Sequence, residues 1–398
     1  MASDPLISMI SNPLTITTTL VGIAALFFYL EQRSQWRLFT YFPPLLFIYA
    51  VPMILSSTGL LASQSPVYDW MHGTMLPFLL TIMLLKVDVL AAIKVMGRGV
   101  LVMLSGTLGV ILGAPLAYLL VKSHLDPDAW KAFGALAGSW IGGTGNMAAM
   151  EMALDASGDN MGLAVLADNA VYVVWLPILL GAKNLAPWFH RFVRVDPQRI
   201  KMLEDTTFQT EETQSKPSMR QILYLLFVGF AVTFAARLIS GRLPQFPEDQ
   251  PILSTGTWNI LIVTTLALLL SRSPARKLPC SHELAMALVF LFVANMGARA
   301  NLSGLASQAP WFLGAAFFWI AFHGMFCLLA AWVLRVDIHS TVIASAANVG
   351  GAASAPVVAA HHNPKLVPVS ILMALMGYAI GTYGALVAAW LCRCVAGV

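Results

Sequence analysis

The chain has 398 residues, of which 58% are hydrophobic and 11% charged, with a mean hydropathy of +0.75. Soluble proteins carry about 25% charged residues, so this composition excludes a water-soluble globular fold. The net charge of +4 suits Lys- and Arg-bearing cytoplasmic loops and gives no sign of nucleic-acid binding.

Apolar runs recur along the whole chain. Six precede a polar linker: Leu14–Leu30, Pro43–Leu60, Met71–Ile93, Val100–Val121, Trp130–Leu154 and Met161–Ala182. Six follow it: Ile222–Ile239, Leu253–Leu270, Leu284–Leu302, Trp311–Leu334, Ile338–Ala360 and Val367–Leu391. Their length fits helices of about 20 residues and not barrel strands of about 10. The expectation is an all-α polytopic membrane protein of about 10–12 transmembrane helices, with lipid as its surroundings. The linker carries the basic amphipathic patch Trp188–Arg194 and a polar run from Asp205 to Pro217. The four cysteines, Cys280, Cys327, Cys392 and Cys394, lack disulfide or metal spacing. No cleavable signal peptide is expected, because Met1–Asn12 is not basic.

Two stretches look like copies of one another: Gly138-Ser-Trp-Ile-Gly-Gly-Thr-Gly-Asn-Met147 and Ala346-Ala-Asn-Val-Gly-Gly-Ala-Ala-Ser-Ala355. Each lies inside an apolar segment, 130–154 or 338–360, and each breaks it with glycine. Glycine disfavours a helix interior by about 1 kcal/mol relative to alanine. Broken backbone survives in a membrane only where it is buried in protein or lines a wet cavity. One interrupted segment in each half of the chain is the best sequence pointer to a transporter's binding site. Lys86-Val-Asp88 and Arg299-Ala-Asn301 correspond in the third segment of each half. The expected organisation is therefore a first repeat over 1–183, a cytoplasmic linker over 184–220 and a second repeat over 221–398. Loop charges put the linker, the 272–277 loop, the Lys94–Arg98 loop and the Cys392–Cys394 tail in the cytoplasm. Three crossings between Arg98 and the linker would place those two on opposite sides, and an inverted repeat needs an odd offset where the count gives six. The sequence leaves that parity unresolved.

The pattern Gly-Gly-Thr-Gly-Asn146, then Ala167-Asp-Asn-Ala170, then Asn348-Val-Gly-Gly-Ala-Ala-Ser354 resembles a bacterial and plastid membrane-protein family of unknown function (DUF819-like). That family is similar to the cation:proton antiporter and anion transporter superfamily, and distantly to the bile acid:sodium symporters. The resemblance implies a sodium/proton antiporter-like fold, with panel and core helices and two interrupted helices crossing at mid-membrane. It also implies an elevator-like movement and a homodimer. The exchangers carry an Asn-Asp or Asp-Asp pair after the first crossover, whereas Asp168-Asn169 here has the reversed order.

Asp168 is the leading coupling-ion candidate, because an ionisable group at membrane depth costs about 2.5–3.5 kcal/mol even on the mild insertion scale. Asn169 supplies a neutral amide or a packing bond. Asn146 and Thr144 at the first break could ligate a cation or substrate with Gly143, or Asn146 could cap the half-helix that follows. Glu151 reaches either the same cavity or the aqueous mouth. Asn348, Ser354 and Gly351 are the substrate-binding candidates of the second break, where helix N-termini suit a carboxylate. Lys86, Asp88 and Arg299 either snorkel to the interface or balance Asp168. His323 reads as a proton relay or a neutral, hydrogen-bonded histidine, and His361-His362 is a weak metal signal. The rows Gly134/Gly138/Gly142 and Gly377/Gly381 have the spacing of close helix packing.

The function expected is a cation-coupled secondary transporter for a small organic anion or zwitterion, such as an amino acid, short peptide or carboxylate. Neutral oxygens around one acid favour sodium over a proton. No cofactor beyond that ion is expected, and no enzyme motif is present. The alternatives are a sodium/proton antiporter without organic substrate, and a channel.

Overall fold

The computed structural model describes residues 11–34, 39, 44–88, 97–195, 217–246, 253–300 and 302–397. Lys94, Asn301 and the polar run as far as residue 216 lie outside the described residues. Apart from one isolated bridge between Phe246 and Leu253, regular structure among the described residues is helical.

The first half contributes α1 (Pro13–Ser34), α2 (Pro44–Ser57), α3 (Pro66–Trp70), a π-helical turn (Met71–Met75) and α4 (Leu76–Leu84). It continues with α5 (Arg98–Val121), α6 (Trp130–Leu154) and α7 (Gly158–Gly181), and a short helix α8 (Ala186–Val193) opens the linker. The second half has α9 (Met219–Ser240), α10 (Thr255–Leu270), α11 (Ser281–Arg299) and α12 (Leu302–Leu334). It ends with α13 (Ile338–Val349), α14 (Gly351–His362) and α15 (Val367–Ala396). Seven of these helical stretches are long and apolar enough to cross a membrane, by length and composition. Their outer faces carry exposed apolar residues such as Leu108, Leu119, Phe227 and Phe234, as expected of surfaces that meet lipid.

Local sequence sets the boundaries. Ser157 and Asp337 cap α7 and α13 by accepting from the backbone of Asn160 and Ser340. Ser218 and Gln221 form a reciprocal capping box on α9, which satisfies two otherwise free amides.

The two glycine-broken segments do not cross the bundle. Within α6, Gly142 (φ −137°, ψ 18°) and Gly143 (φ 72°, ψ −179°) reverse the chain. Lys131 Nζ then donates to the Asp155 carbonyl at 3.2 Å, whereas a straight helix would separate those residues by about 36 Å. A methyl at Gly134 would meet the Leu154 side chain at 2.6 Å, and one at Gly138 the Asn146 carbonyl at 2.8 Å. Residues 130–141 and 144–154 are therefore the outgoing and returning arms of a helical hairpin (hairpin 1). The same holds for α13 and α14 (hairpin 2). Gly350 and Gly351 form its tip, and the Nδ1 atoms of His339 and His362 lie 2.8 Å apart at its base.

Helix directions confirm the re-entry independently. Arg98 donates to the Leu334 carbonyl and Trp319 to the Val110 carbonyl, so α5 and α12 are antiparallel. Lys122 donates to the Val395 carbonyl, and a methyl at Gly99 would meet Met373, so α5 and α15 are parallel. Helices α12 and α15 are thus antiparallel, although only hairpin 2 separates them. A single crossing there would have made them parallel. Hairpin 2 opens at the end of the bundle that carries the linker, where His362 reaches the Leu179 carbonyl. Hairpin 1 opens at the opposite end, where Thr257 donates to the Ala153 carbonyl.

This corrects two expectations. The interrupted segments are hairpins rather than crossing helices, because 25 apolar residues fold equally well into two short arms when a glycine pair reverses the chain. The parity conflict then disappears: Arg98 and the linker lie at the same end, since hairpin 1 contributes no crossing. The Cys392–Cys394 tail lies at the other end, with Lys122.

Candidate functional site

The tips of the two hairpins meet. A methyl added to Gly351 would come within 3.7 Å of the Gly143 Cα. Both residues hold positive φ, 72° and 59°, backbone that costs other L-residues about 1–3 kcal/mol. Tyr378 of α15 wedges against both, at 3.2 Å from a methyl on Gly143 and 3.6 Å from one on Gly351. Its hydroxyl lies at the Ala352 backbone near the start of α14. The returning arms of both hairpins begin at these tips, so two helix N-termini with free amides converge on one place.

Asp168 lies beside them. Its Oδ2 accepts from Ser139 Oγ at 2.9 Å and its Oδ1 from Trp140 Nε1 at 3.0 Å. Both donors sit on the outgoing arm of hairpin 1, within one turn of the tip. The carboxylate is half-buried and, with one partner per oxygen, each oxygen keeps a lone pair for a ligand. Tyr172, one turn along α7 from Asp168, packs beside Gly350, where a methyl would meet its ring at 3.1 Å. Thr144 and Gly143 are half-buried at the first tip.

The amides named from sequence hold the tips in place. Asn146 Nδ2 donates to the Gly142 carbonyl at 2.7 Å and to the Tyr378 carbonyl at 3.4 Å, while its Oδ1 accepts from Thr382 at 2.7 Å. With its amide oriented so that both ends are satisfied, Asn348 accepts from Thr107 at 2.8 Å. It then donates to the carbonyls of Ala344 and Met103 at 3.1 and 3.0 Å. Ser354 is buried and donates across hairpin 2 to the Ala346 carbonyl at 3.4 Å. Asn169 donates to the Val165 carbonyl at 2.7 Å within its own helix.

The remaining candidates separate from the tips. Glu151 lies near the open end of hairpin 1, 1% exposed, and its Oε1 accepts from Arg299 at 2.8 Å. Arg299 therefore balances Glu151 and not Asp168. Asp88 is paired with Arg276 at the linker end. His323 is fully buried between the Gly106 carbonyl at 2.9 Å and Ser345 Oγ at 3.0 Å. The carbonyl fixes a hydrogen on Nδ1, and Nε2 faces the Ser345 hydroxyl, which donates to it when the ring is neutral. The glycine rows serve internal packing: Gly381 and Gly377 of α15 leave space for Asn146, Gly142 and the Ile141 carbonyl.

Ser139, Trp140, Tyr172, Tyr378, Thr382 and Thr107 were not legible as site residues. The available signal was that a Trp or Tyr inside an apolar segment carries a polar group that needs a partner.

A family model described as "Protein of unknown function (DUF819)" matches residues 18–394. The chain is similar to "Uncharacterized membrane protein YjcL" of Bacillus subtilis (strain 168). The two are 29% identical over 364 residues, covering 89% of this chain and 90% of that protein.

Proposed function

The chain belongs to the DUF819 family of membrane proteins, and on that premise we propose that it is a secondary active transporter. One observation carries the reading: two re-entrant hairpins meet tip to tip at Gly143 and Gly351, next to the carboxylate of Asp168. Half-helix N-termini facing each other from the two halves of a chain are the device by which transporters hold an anionic group, while freed carbonyls hold a cation.

In this reading the substrate is a small organic anion or zwitterion whose carboxylate meets the N-termini of the returning arms. Gly143, Thr144 and Gly351 line its place. The coupling ion is sodium, seated on Asp168 with oxygens of Thr144 and of the tip backbone. Asn146, Asn348 and Ser354 hold the tips in register, and Asn169 supports the helix that presents Asp168. Glu151 belongs to the outer end of hairpin 1.

The halves act as inverted repeats, because each has an odd number of crossings once its hairpin is discounted. The fold is of the sodium/proton antiporter type, with an elevator-like displacement of the hairpins and α5, α7, α12 and α15 against the other helices. A homodimer in a bacterial inner membrane completes the proposal. Arg98, Lys183, Arg191, Arg272, Lys277 and Arg335 gather at the linker end, which makes that end cytoplasmic.

The test is uptake into proteoliposomes across a panel of amino acids, peptides and carboxylates, under an imposed sodium or pH gradient. Gradient-dependent accumulation of any one supports the reading. Passive flux without accumulation would assign a channel, and sodium/proton exchange with no organic substrate would assign an antiporter.

A further inference from the structure

Helix α8 has two apolar faces. On the inner one Phe189 and Val193 are buried, in one core cluster with Leu179 of α7 and with Val336 and Ile338 at the base of hairpin 2. On the outer one Trp188 and Phe192, one turn apart, stack their rings with centroids 5.5 Å apart. Trp188, Phe192 and Leu185, which precedes the helix, are 63%, 59% and 57% exposed. Three large apolar side chains in one row are costly to leave in water, and they mark a surface that meets something else.

The place of α8 in the fold sets the level of that partner. A straight continuation of α7 would carry Val193 about 18 Å beyond Gly181, clear of the bundle. Instead His190 accepts from the Ile338 amide at 3.3 Å, and Lys183 Nζ donates to the His361 carbonyl at 2.6 Å. Helix α8 therefore lies against the open end of hairpin 2, where α7 stops and α12 ends at Leu334. For helices that cross a membrane this is the level of the lipid headgroups, where tryptophan is enriched.

Charge narrows the partner further. From Ala182 to Val195 the chain carries Lys183, Arg191 and Arg194 and no acid. Lys183 serves the hairpin. Arg191 and Arg194 are exposed and form no ion pair among the described residues. Arg191 follows Trp188 by three residues and flanks the rings on the helix surface. Arg194 ends the helix at φ 58°, a left-handed position where glycine is usual, so a cation is kept where the backbone prefers none. An apolar protein surface would satisfy the rings and leave two guanidiniums without anions. An anionic phospholipid satisfies both, with acyl chain against the rings and phosphate on the arginines.

We propose that α8 is a lipid-binding arm: Leu185, Trp188 and Phe192 enter the leaflet at the linker end, and Arg191 and Arg194 bind the phosphates of anionic phospholipid. Through Lys183 and His190 the arm ties the open end of hairpin 2 to the membrane surface. This inference needs only a membrane protein and does not depend on what the hairpin tips bind.

The test uses the full chain in phosphatidylcholine vesicles with and without phosphatidylglycerol. A fluorophore is attached at position 192 of Phe192→Cys, with Cys280→Ser and Cys394→Ser removing the native thiols that are not buried. Lipid carrying a quencher near its headgroup is expected to quench the fluorophore, and dissolved iodide is not. Shielding from both would mean that protein covers the face, either residues 196–216 or a second copy of the chain. Quenching by iodide would mean that water does. Either outcome overturns the proposal. Hydrogen exchange of peptides spanning 182–195 reads the arginines. Phosphatidylglycerol should raise their protection about tenfold or more, at about fivefold per cation. Arg191→Gln combined with Arg194→Gln should erase that gain, and Arg272→Gln should leave it intact. Equal protection in the two kinds of vesicle overturns the proposal, as does a full gain in the double variant. Neither readout is uptake, so failure here is distinct from failure of the transporter reading.

Discussion

Gly351 approaches Gly143 so closely that a methyl on the one would sit 3.7 Å from the Cα of the other, with Tyr378 filling the third side. Both positive φ values and the crowded tip argue against any side chain. Gly143→Ala and Gly351→Ala are each expected to cost about 1–3 kcal/mol from the backbone region alone. Gly314→Ala on α12, where nothing lies within 4 Å of the added methyl, serves as control and should be neutral or slightly stabilising. Thermal unfolding in detergent reads all three. A Gly351→Ala protein as stable as the control would mean that the tips do not hold this geometry.

Asp168→Asn should abolish gradient-driven uptake while leaving the fold intact. Its remaining oxygen can still accept from Ser139 or Trp140, so the outgoing arm keeps an anchor. What is lost is the charge that seats the coupling cation. Uptake by the variant at wild-type gradient dependence would make the carboxylate structural.

Sodium should raise the melting temperature of the wild-type protein, by a stabilisation of about 2.7 kcal/mol at a hundredfold excess over Kd. Potassium and choline should not. Asp168→Asn should erase this response. Asn146→Ala is different: it removes bonds to Gly142, Tyr378 and Thr382 inside the protein, and should cost about 1–3 kcal/mol with or without sodium. A sodium-insensitive wild-type melting curve would assign the site to a proton.

The Glu151–Arg299 pair is asymmetric: 1% of the acid side chain is exposed against 32% of the arginine. Arg299→Gln removes the charged partner of a buried carboxyl, which must then take up a proton or stay charged at a cost, and should destabilise the protein. Glu151→Gln leaves an arginine that can reach water and should cost less. The double variant should recover part of the Arg299→Gln loss. Chemical or thermal unfolding of the three proteins measures the cycle; equal losses in the two single variants would contradict the burial asymmetry.

The tail at Cys394 is exposed and lies at the end opposite the linker. A membrane-impermeant thiol reagent should label Cys394 from outside intact cells, and should label a Ser218→Cys variant at position 218 only after the cells are opened. The reverse pattern would invert the assignment of sides.

The sequence located both breaks, because glycine pairs in long apolar segments weaken a helix wherever they occur. It did not reveal that the chain turns back there. An apolar stretch of 25 residues has the length of one crossing and also of two short arms, and hydropathy does not distinguish them. The clue was present in the loop charges: Arg98 and the linker asked for the same side when the count of segments forbade it. Asp168 was legible because a carboxylate in an apolar segment is costly. Its partners Ser139 and Trp140 were not, since they lie 29 and 28 residues away on an arm whose direction the sequence left open.

The bond from Thr382 to Asn146 spans 236 residues, and it has a consequence for biogenesis. Hairpin 1 is synthesised and enters the membrane long before α15 exists. Until α15 arrives, Asn146 Oδ1 has no Thr382 and the crowded face of Gly134 and Gly142 has no Ala389 or Gly377 against it. The nascent first half therefore holds a hairpin with an incompletely paired polar group near its tip that must wait, sheltered by insertion machinery or by the aqueous mouth, for a helix translated more than 200 residues later. A ribosome stalled before Val367 should yield a membrane-inserted chain that quality-control proteases recognise, and degradation of such truncated chains should be rapid.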